Sequence, residues 1–271
     1  TYTETENELT VKANKRTFIF SKKDGQLKGV SVDNRKINFA NGPRFIGARR
    51  ADRSLDQFYN HDDEKAKEKD RTYSEFPDAA VFTKLDVKED GGNLVVTANY
   101  KLGNLDKAQW TINPSGELAL DYTYNFSGVV DLMGIRFDYP EDQVISKRWL
   151  GAGPYRVWQN RIHGTQYDVW ENDYNDPIPG ETFTYPEFKG YFGDVSWMNI
   201  QTKEGTISLT NEAPDAYIGV YQPRDGRDRL LYTLPESGIS VLNVIPPVRN
   251  KVNSTDLCGP SSQPKWVNGP Q

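Results

Sequence analysis

Aromatic and polar side chains that can bind a sugar are concentrated in one stretch of the chain. Trp158, Asn160, Arg161, Trp170 and Glu171 fall within fourteen residues. An indole can stack on the apolar face of a pyranose ring, while amide, guanidinium and carboxylate groups hydrogen-bond to its hydroxyls. This mixture predicts a saccharide-binding site, with Trp158, Asn160, Arg161 and Trp170 as its first candidates. Further candidates for the same site are Tyr155, His163 and Glu187.

A small hydrophobic core under a long loop is the second interpretation of these rings. Trp149 and Trp197 lie in apolar, strand-like sequence, so we favour the core for both. For Trp158 and Trp170 the sequence leaves the two interpretations open. His163 is predicted to make a hydrogen bond within the loop, and contact with a substrate is the alternative.

Carboxylates in the same region offer a different chemistry. A glycosidase needs two carboxyl groups about 5–5.5 Å apart to retain configuration, or about 6.5–9.5 Å apart to invert it. A catalytic pair among Glu171, Asp173 and Glu187 is therefore an alternative. Acidic residues in loops rich in Asn, Asp and Pro more commonly form turns, so binding is preferred. Asp173, Asn175 and Asp176 have oxygen ligands for calcium, but their spacing does not match an EF-hand.

Composition argues against several other functions. The chain has one cysteine, Cys258, and two histidines, His61 and His163, which excludes an internal disulfide framework and argues against a zinc site. It has no Gly-rich phosphate loop and no nucleophile elbow, so no cofactor and no metal are predicted. The 33 Lys and Arg against 38 Asp and Glu give a net charge of −5, which argues against nucleic acid. No apolar run approaches the roughly 18–20 residues of a membrane helix.

Strand-like segments along the chain must position these side chains. Residues 118–126 place Leu, Leu, Tyr, Tyr and Phe at every second position, which is typical of a strand with one buried face. Similar short segments are 17–20, 94–100, 110–112 and 217–221. They predict an all-β fold, a large antiparallel β-sandwich. Residues 149–197 are expected to form long loops across its mouth.

One β-sandwich domain is expected over residues 1–271. Residues 251–271 are rich in Pro, Ser, Gly and Asn and are expected to be a loosely ordered tail. The charged run 62–71 is expected to be a solvated loop or a short surface helix. Because the sequence opens at Thr1, we favour a piece cut from a longer polypeptide.

Several motifs resemble a known domain. Residues 149–155 read Trp-Leu-Gly-Ala-Gly-Pro-Tyr, and residues 185–197 contain Tyr-Pro-Glu-Phe, a glycine and Asp-Val-Ser-Trp. With residues 18–27 and 43–45, they resemble the C-terminal domain of glycoside hydrolase family 2 β-galactosidases. Residues 155–165 resemble a variant of this domain from glycan-degrading gut bacteria.

The resemblance implies a galactose mutarotase-like supersandwich that packs on a catalytic (β/α)₈ barrel and helps to shape its sugar pocket. The catalytic glutamates belong to the barrel, and 271 residues of strand pattern leave no room for its roughly 250 residues. In lactose-type enzymes, a late segment of the domain contributes a tryptophan platform, whereas the matching residues 254–259 contain none. A periplasmic or secreted location follows from the gut-bacterial variant.

The leading hypothesis is therefore a non-catalytic, carbohydrate-binding C-terminal domain of a β-galactosidase-like enzyme. Its partners would be carbohydrate and the catalytic barrel, and the isolated chain would be inactive. Two alternatives remain open: a free-standing sugar-binding module, and a glycan-active enzyme that uses the carboxylate pair.

Overall fold

Alternating apolar and polar residues form strands along most of the chain. The computed structural model describes residues 1–50, 73–174, 189–213, 215–220, 235–248 and 259–271. In the strand over residues 118–130, Leu120 and Tyr122 point inward, whereas Asp121 and Thr123 are exposed. The described residues contain nineteen strands and no α-helix. The predicted all-β sandwich is confirmed.

A large antiparallel sheet forms the middle of the molecule. It has ten strands in the order β1-β2-β3-β4-β6-β12-β18-β17, with β5 beside β4 and β7 beside β6. Its strands are β1 (Tyr2–Glu4), β2 (Glu8–Ala13), β3 (Arg16–Ser21), β4 (Leu27–Val32), β5 (Arg35–Ile37), β6 (Ala40–Arg50), β7 (Tyr73–Glu75), β12 (Leu132–Asp138), β17 (Tyr217–Val220) and β18 (Ile239–Val244).

Two smaller antiparallel sheets complete the fold. The five-stranded sheet has the order β19-β11-β10-β9-β8, and the four-stranded sheet has the order β14-β13-β15-β16. The former comprises β8 (Val81–Asp90), β9 (Asn93–Lys101), β10 (Leu105–Ile112), β11 (Leu118–Val130) and β19 (Lys265–Pro270). The latter comprises β13 (Val144–Gly153), β14 (Gln166–Asp173), β15 (Trp197–Thr202) and β16 (Gly205–Thr210). Two short 3₁₀ helices cover Glu141–Gln143 and Pro260–Ser262.

The large sheet buries residues on both of its faces. Along β12, Met133 and Ile135 belong to a first core, which the large sheet shares with the five-stranded sheet. Trp110 of the five-stranded sheet lies in the same core. Leu132, at the alternate parity, belongs to a second core that includes Trp158. Because neighbouring side chains on a strand point to opposite faces, one strand supplies both cores. Each large apolar side chain buried in this way contributes roughly 1.5–3 kcal/mol to stability.

A third core joins the four-stranded sheet to the β17–β18 end of the large sheet. It contains Trp149 and Met198 from the small sheet, and Ile218 and Ile239 from the large one. Trp149 is completely buried, as the sequence predicted. Trp197, which was also expected in a core, is half-buried.

Two other expectations differ from the structure. Residues 149–197 are not only loops, because they include the end of β13 and all of β14. β14 is an edge strand with mostly exposed side chains, so its sequence does not alternate between apolar and polar residues. The segment expected to be a loose tail contains β19, which pairs along its whole length with β11. Residues 62–71 and 251–258 lie outside the described residues.

Candidate functional site

The loop between β13 and β14, residues 154–165, carries most of the predicted sugar-binding side chains. The end of β13 fixes where it begins. The indole Nε1 of Trp149 donates to the carbonyl oxygen of Ala152 at 3.0 Å. A Cβ on Gly153 would overlap the indole of Trp170, so only glycine allows this close contact. The Trp-Leu-Gly-x-Gly-Pro sequence is therefore a packing motif that sets the start of the loop.

Trp158 anchors the loop to the second core. Its side chain is only 2% exposed, and its ring meets the ring of Tyr191 edge-on, with centroids 5.8 Å apart and planes at 85°. Burial raises the pKa of Tyr191, which keeps its phenol neutral. The sequence left open whether Trp158 binds sugar or belongs to a hydrophobic core, and the structure places it in the core. Any effect of this residue on a bound sugar would act through the position of the loop.

Two amide side chains tie the loop to distant segments. The Nε2 of Gln159 donates to the carbonyl oxygens of Ser261 at 3.0 Å and Gln263 at 2.8 Å. The Nδ2 of Asn160 donates to the carbonyl oxygen of Val248 at 2.7 Å, and the backbone N–H of Val248 donates to Asn160 Oδ1 at 2.9 Å. Asn160 was predicted to contact sugar, but these bonds and a long one of 3.5 Å from its Nδ2 to the Ser262 hydroxyl engage both ends of its amide within the protein. Its observed contribution is to position the loop.

The tip of the loop presents three of the predicted residues at the surface. The backbone N–H of Arg161 donates to the carbonyl oxygen of Trp158 at 2.8 Å, which closes a tight turn. The side chains of Arg161 and His163 are exposed, and Tyr155 is half-buried. The Tyr155 hydroxyl donates to the carbonyl oxygen of His163 at 3.3 Å, so the ring of Tyr155 supports the turn. A guanidinium fork and an imidazole are thus exposed to a polar ligand.

The strand that follows the loop carries Trp170 and the acidic candidates. Trp170 is half-buried, and its Nε1 donates to the carbonyl oxygen of Gln166 at 3.2 Å. Glu171 and Asp173 are exposed and share one face of β14, where alternate Cα atoms are about 6.6–6.8 Å apart. The structure therefore places two of the alternative catalytic carboxylates on an open strand face. Glu187 lies outside the described residues.

A buried arginine of the loop and a tyrosine of β17 lie close to the segment at residues 192–193. Arg156 is 3% exposed, and its guanidinium carbon lies 5.9 Å from the centroid of the Phe192 ring. Burial raises the pKa of Tyr217, and the carboxylates of Asp194 and Asp215 raise it further. Val157 of the loop and Tyr217 both pack against Gly193.

Sequence reasoning missed Gln159 and the position of Trp266. Gln159 carries no local signal, because its partners follow about a hundred residues later. Trp266 is 72% exposed on β19, in the stretch that composition assigned to a loose tail. Its neighbours in sequence, with Val267 turned inward and Asn268 outward, give the period-two pattern that could have revealed the strand.

No group of three or more His, Cys, Asp or Glu side chains suited to a metal ion occurs within the described ranges. The calcium ligands considered from the sequence include Asn175 and Asp176, which lie outside those ranges. In the same part of the chain, no helix has the length and hydropathy of a membrane span.

Comparison with known proteins gives one family. The family model described as beta galactosidase small chain matches residues 12–244, most of the 271-residue chain. A comparison with curated proteins gave no match. The matched range includes the loop at residues 154–165 and all three sheets except β1, β19 and the first residues of β2. The chain belongs to the beta galactosidase small chain family.

Proposed function

We propose that this chain is a non-catalytic part of a β-galactosidase-like enzyme and that it shapes the sugar pocket of a catalytic barrel carried elsewhere. The family match over residues 12–244 is the observation that carries the proposal. The finer assignment, to the C-terminal supersandwich domain of glycoside hydrolase family 2, is supported by the motif at residues 149–154. The location that goes with this proposal is periplasmic or secreted, which rests on the gut-bacterial variant alone.

The loop at residues 154–165 is the part of the chain that would reach the pocket. Trp158, Gln159 and Asn160 fix it to a core and to two other segments, while Arg161 and His163 remain exposed at its tip. This arrangement suits a positioning role, because a rigid support can hold a hydrogen-bonding side chain against substrate. A displacement of about 1 Å at a reacting group can cost about 10²-fold in rate.

The test compares Arg161→Ala with Arg35→Ala in the assembled enzyme. Both arginines are exposed, and Arg35 lies on β5. We expect Arg161→Ala to lower kcat/KM for a nitrophenyl β-galactoside by about tenfold, which corresponds to about 1.4 kcal/mol of lost hydrogen bonding. Arg35→Ala should leave kcat/KM unchanged. Equal kcat/KM values for the two variants would show that the loop tip does not contribute to the sugar pocket.

The isolated chain provides a second readout. We expect it to release no nitrophenol, because the proposal assigns both catalytic carboxylates to the barrel. Hydrolysis by the isolated chain, lost in Glu171→Gln or Asp173→Asn, would replace the proposal with the carboxylate-pair enzyme.

A further inference from the structure

The most exposed tryptophan of the described residues lies on a regular strand and not in a loop. Trp266 is 72% exposed on β19, at the edge of the five-stranded sheet. Burial of a large aromatic ring is favourable by about 1.5–3 kcal/mol, so a ligand that covers this indole would gain free energy from the contact.

The side chains that share the outer face of β11 and β19 with Trp266 are uncharged, although Lys265, the preceding residue on β19, is exposed. In the antiparallel register, Trp266 pairs with Val129, Asn268 with Ser127, and Pro270 with Asn125, so these alternate positions share the outer face of the sheet. We call these six residues the β11–β19 surface. Charged residues make up 26% of the chain, but none of the six carries a charge. The first and last positions on β19 are four residues apart, or about 13 Å, which is longer than one sugar ring.

Hydrogen-bonding groups on this surface are available to a ligand. The Ser127 hydroxyl donates to the side-chain oxygen of Asn268 at 2.9 Å, which orients the Asn268 amide and leaves its N–H groups directed away from that bond. Asn125 and Asn268 are both exposed. The surface thus combines one flat apolar ring with amides and a hydroxyl.

This chemistry matches a neutral saccharide better than other ligands. The apolar face of a pyranose can stack on the indole, and the amides can bond to its hydroxyls. Nucleic acid would need cations, which the surface lacks. A stable protein interface would need a central apolar cluster, whereas here Trp266 is the one large apolar side chain that is exposed among the six.

The surface is also held rigidly. β19 pairs with β11 along its whole length, and Gln159 binds the carbonyl oxygens of Ser261 and Gln263 just before the strand. Trp266 follows Gln263 by three residues, or about 10 Å of extended chain. Little conformational entropy would therefore be lost when a ligand binds.

We propose that the β11–β19 surface is a binding site for a neutral oligosaccharide, with Trp266 as its stacking platform. This goes beyond the proposed function, because the site lies on the outer face of another sheet and needs no catalytic barrel. Its role would be to hold a glycan chain on this part of the molecule.

The experiment titrates the full chain with three neutral hexasaccharides, galactohexaose, cellohexaose and mannohexaose, by isothermal calorimetry. The variants are Trp266→Ala, Asn268→Ala and, as a matched control, Tyr167→Ala. Tyr167 is another aromatic side chain, 58% exposed, but it lies on β14. Circular dichroism confirms that each variant is folded, and sedimentation velocity gives its oligomeric state.

We expect at least one hexasaccharide to bind the wild type and Tyr167→Ala equally. Trp266→Ala should weaken that binding by at least about tenfold, which is about 1.4 kcal/mol, and Asn268→Ala should weaken it less. The proposal is overturned if none of the sugars binds at about 10 mM, or if Trp266→Ala binds as the wild type does. It is also overturned if Trp266→Ala changes the oligomeric state or weakens association with the catalytic chain, because the surface would then be a protein interface. Hydrolysis by the assembled enzyme tests the proposed function separately.

Discussion

The same substitution at two tryptophans should lower the stability of the chain by very different amounts. Trp158 is 2% exposed in the second core, whereas Trp266 is 72% exposed on β19. Trp158→Ala removes a buried indole and its edge contact with Tyr191. Trp266→Ala removes a ring that is mostly in water, so it is the matched control.

The magnitudes follow from burial. Replacement of a buried tryptophan by alanine typically costs about 3–5 kcal/mol, which includes the cavity left behind. The edge-on contact with Tyr191 accounts for roughly 0.5–1.5 kcal/mol of interaction beyond burial. In a domain of this size, about 1 kcal/mol lowers Tm by roughly 2–4 °C, so Trp158→Ala should lower it by about 6–20 °C. Trp266→Ala should change the free energy of unfolding by less than about 0.5 kcal/mol.

The assay is urea unfolding followed by far-ultraviolet circular dichroism, because both substitutions alter tryptophan fluorescence. A lower urea midpoint with an unchanged slope would show that Trp158→Ala changes stability alone. Equal midpoints for the two variants would refute the assignment of Trp158 to the core. The indole of Trp158 would then again be a candidate for binding sugar.

Two further perturbations test the loop and the cores. Asn160→Ala breaks both bonds to the backbone of Val248, so it should lower the free energy of unfolding in urea by about 1–3 kcal/mol. The control Asn7→Ala, at an exposed position, should leave the free energy of unfolding almost unchanged. Equal losses for the two variants would contradict the positioning role of Asn160. Burial raises the pKa of Tyr122 to about 12, above the value of about 10 for an unfolded chain. Its contribution is therefore fully present below pH 10 and decreases by about 1.4 kcal/mol per pH unit between pH 10 and 12. Tyr122→Phe should show a shallower alkaline loss of stability, and identical pH profiles would contradict this.

The strands were predictable because their signal is local. In β11, every second residue from Leu118 to Phe126 is apolar, and this alternation alone specifies a strand with one buried face. β14 lacked that signal, since Gln166–Asp173 is an edge strand with mostly exposed side chains. The order of strands within the sheets could not be predicted from the sequence, because pairs such as β19 and β11 join segments about 140 residues apart.

The candidate site was predictable in part. Residues 155–163 do form a surface loop, and its tip exposes Arg161 and His163. Trp158 could not be assigned from its neighbours in sequence, because most of the residues in its core, such as Ile46, Leu132 and Tyr191, are far from it along the chain. Asn160 is a similar case, since its partner is Val248. Sequence patterns identify the side chains that can do chemistry, but long-range contacts decide which of them face solvent.

The most direct test of the central claim is reconstitution of activity. The purified chain and the barrel-bearing chain of the same enzyme are assayed separately and after mixing, with a nitrophenyl β-galactoside as substrate. We expect no hydrolysis by this chain, little by the barrel alone, and a large increase when the two are mixed. Full activity of the barrel alone, unchanged on addition of this chain, would contradict a role in shaping the sugar pocket.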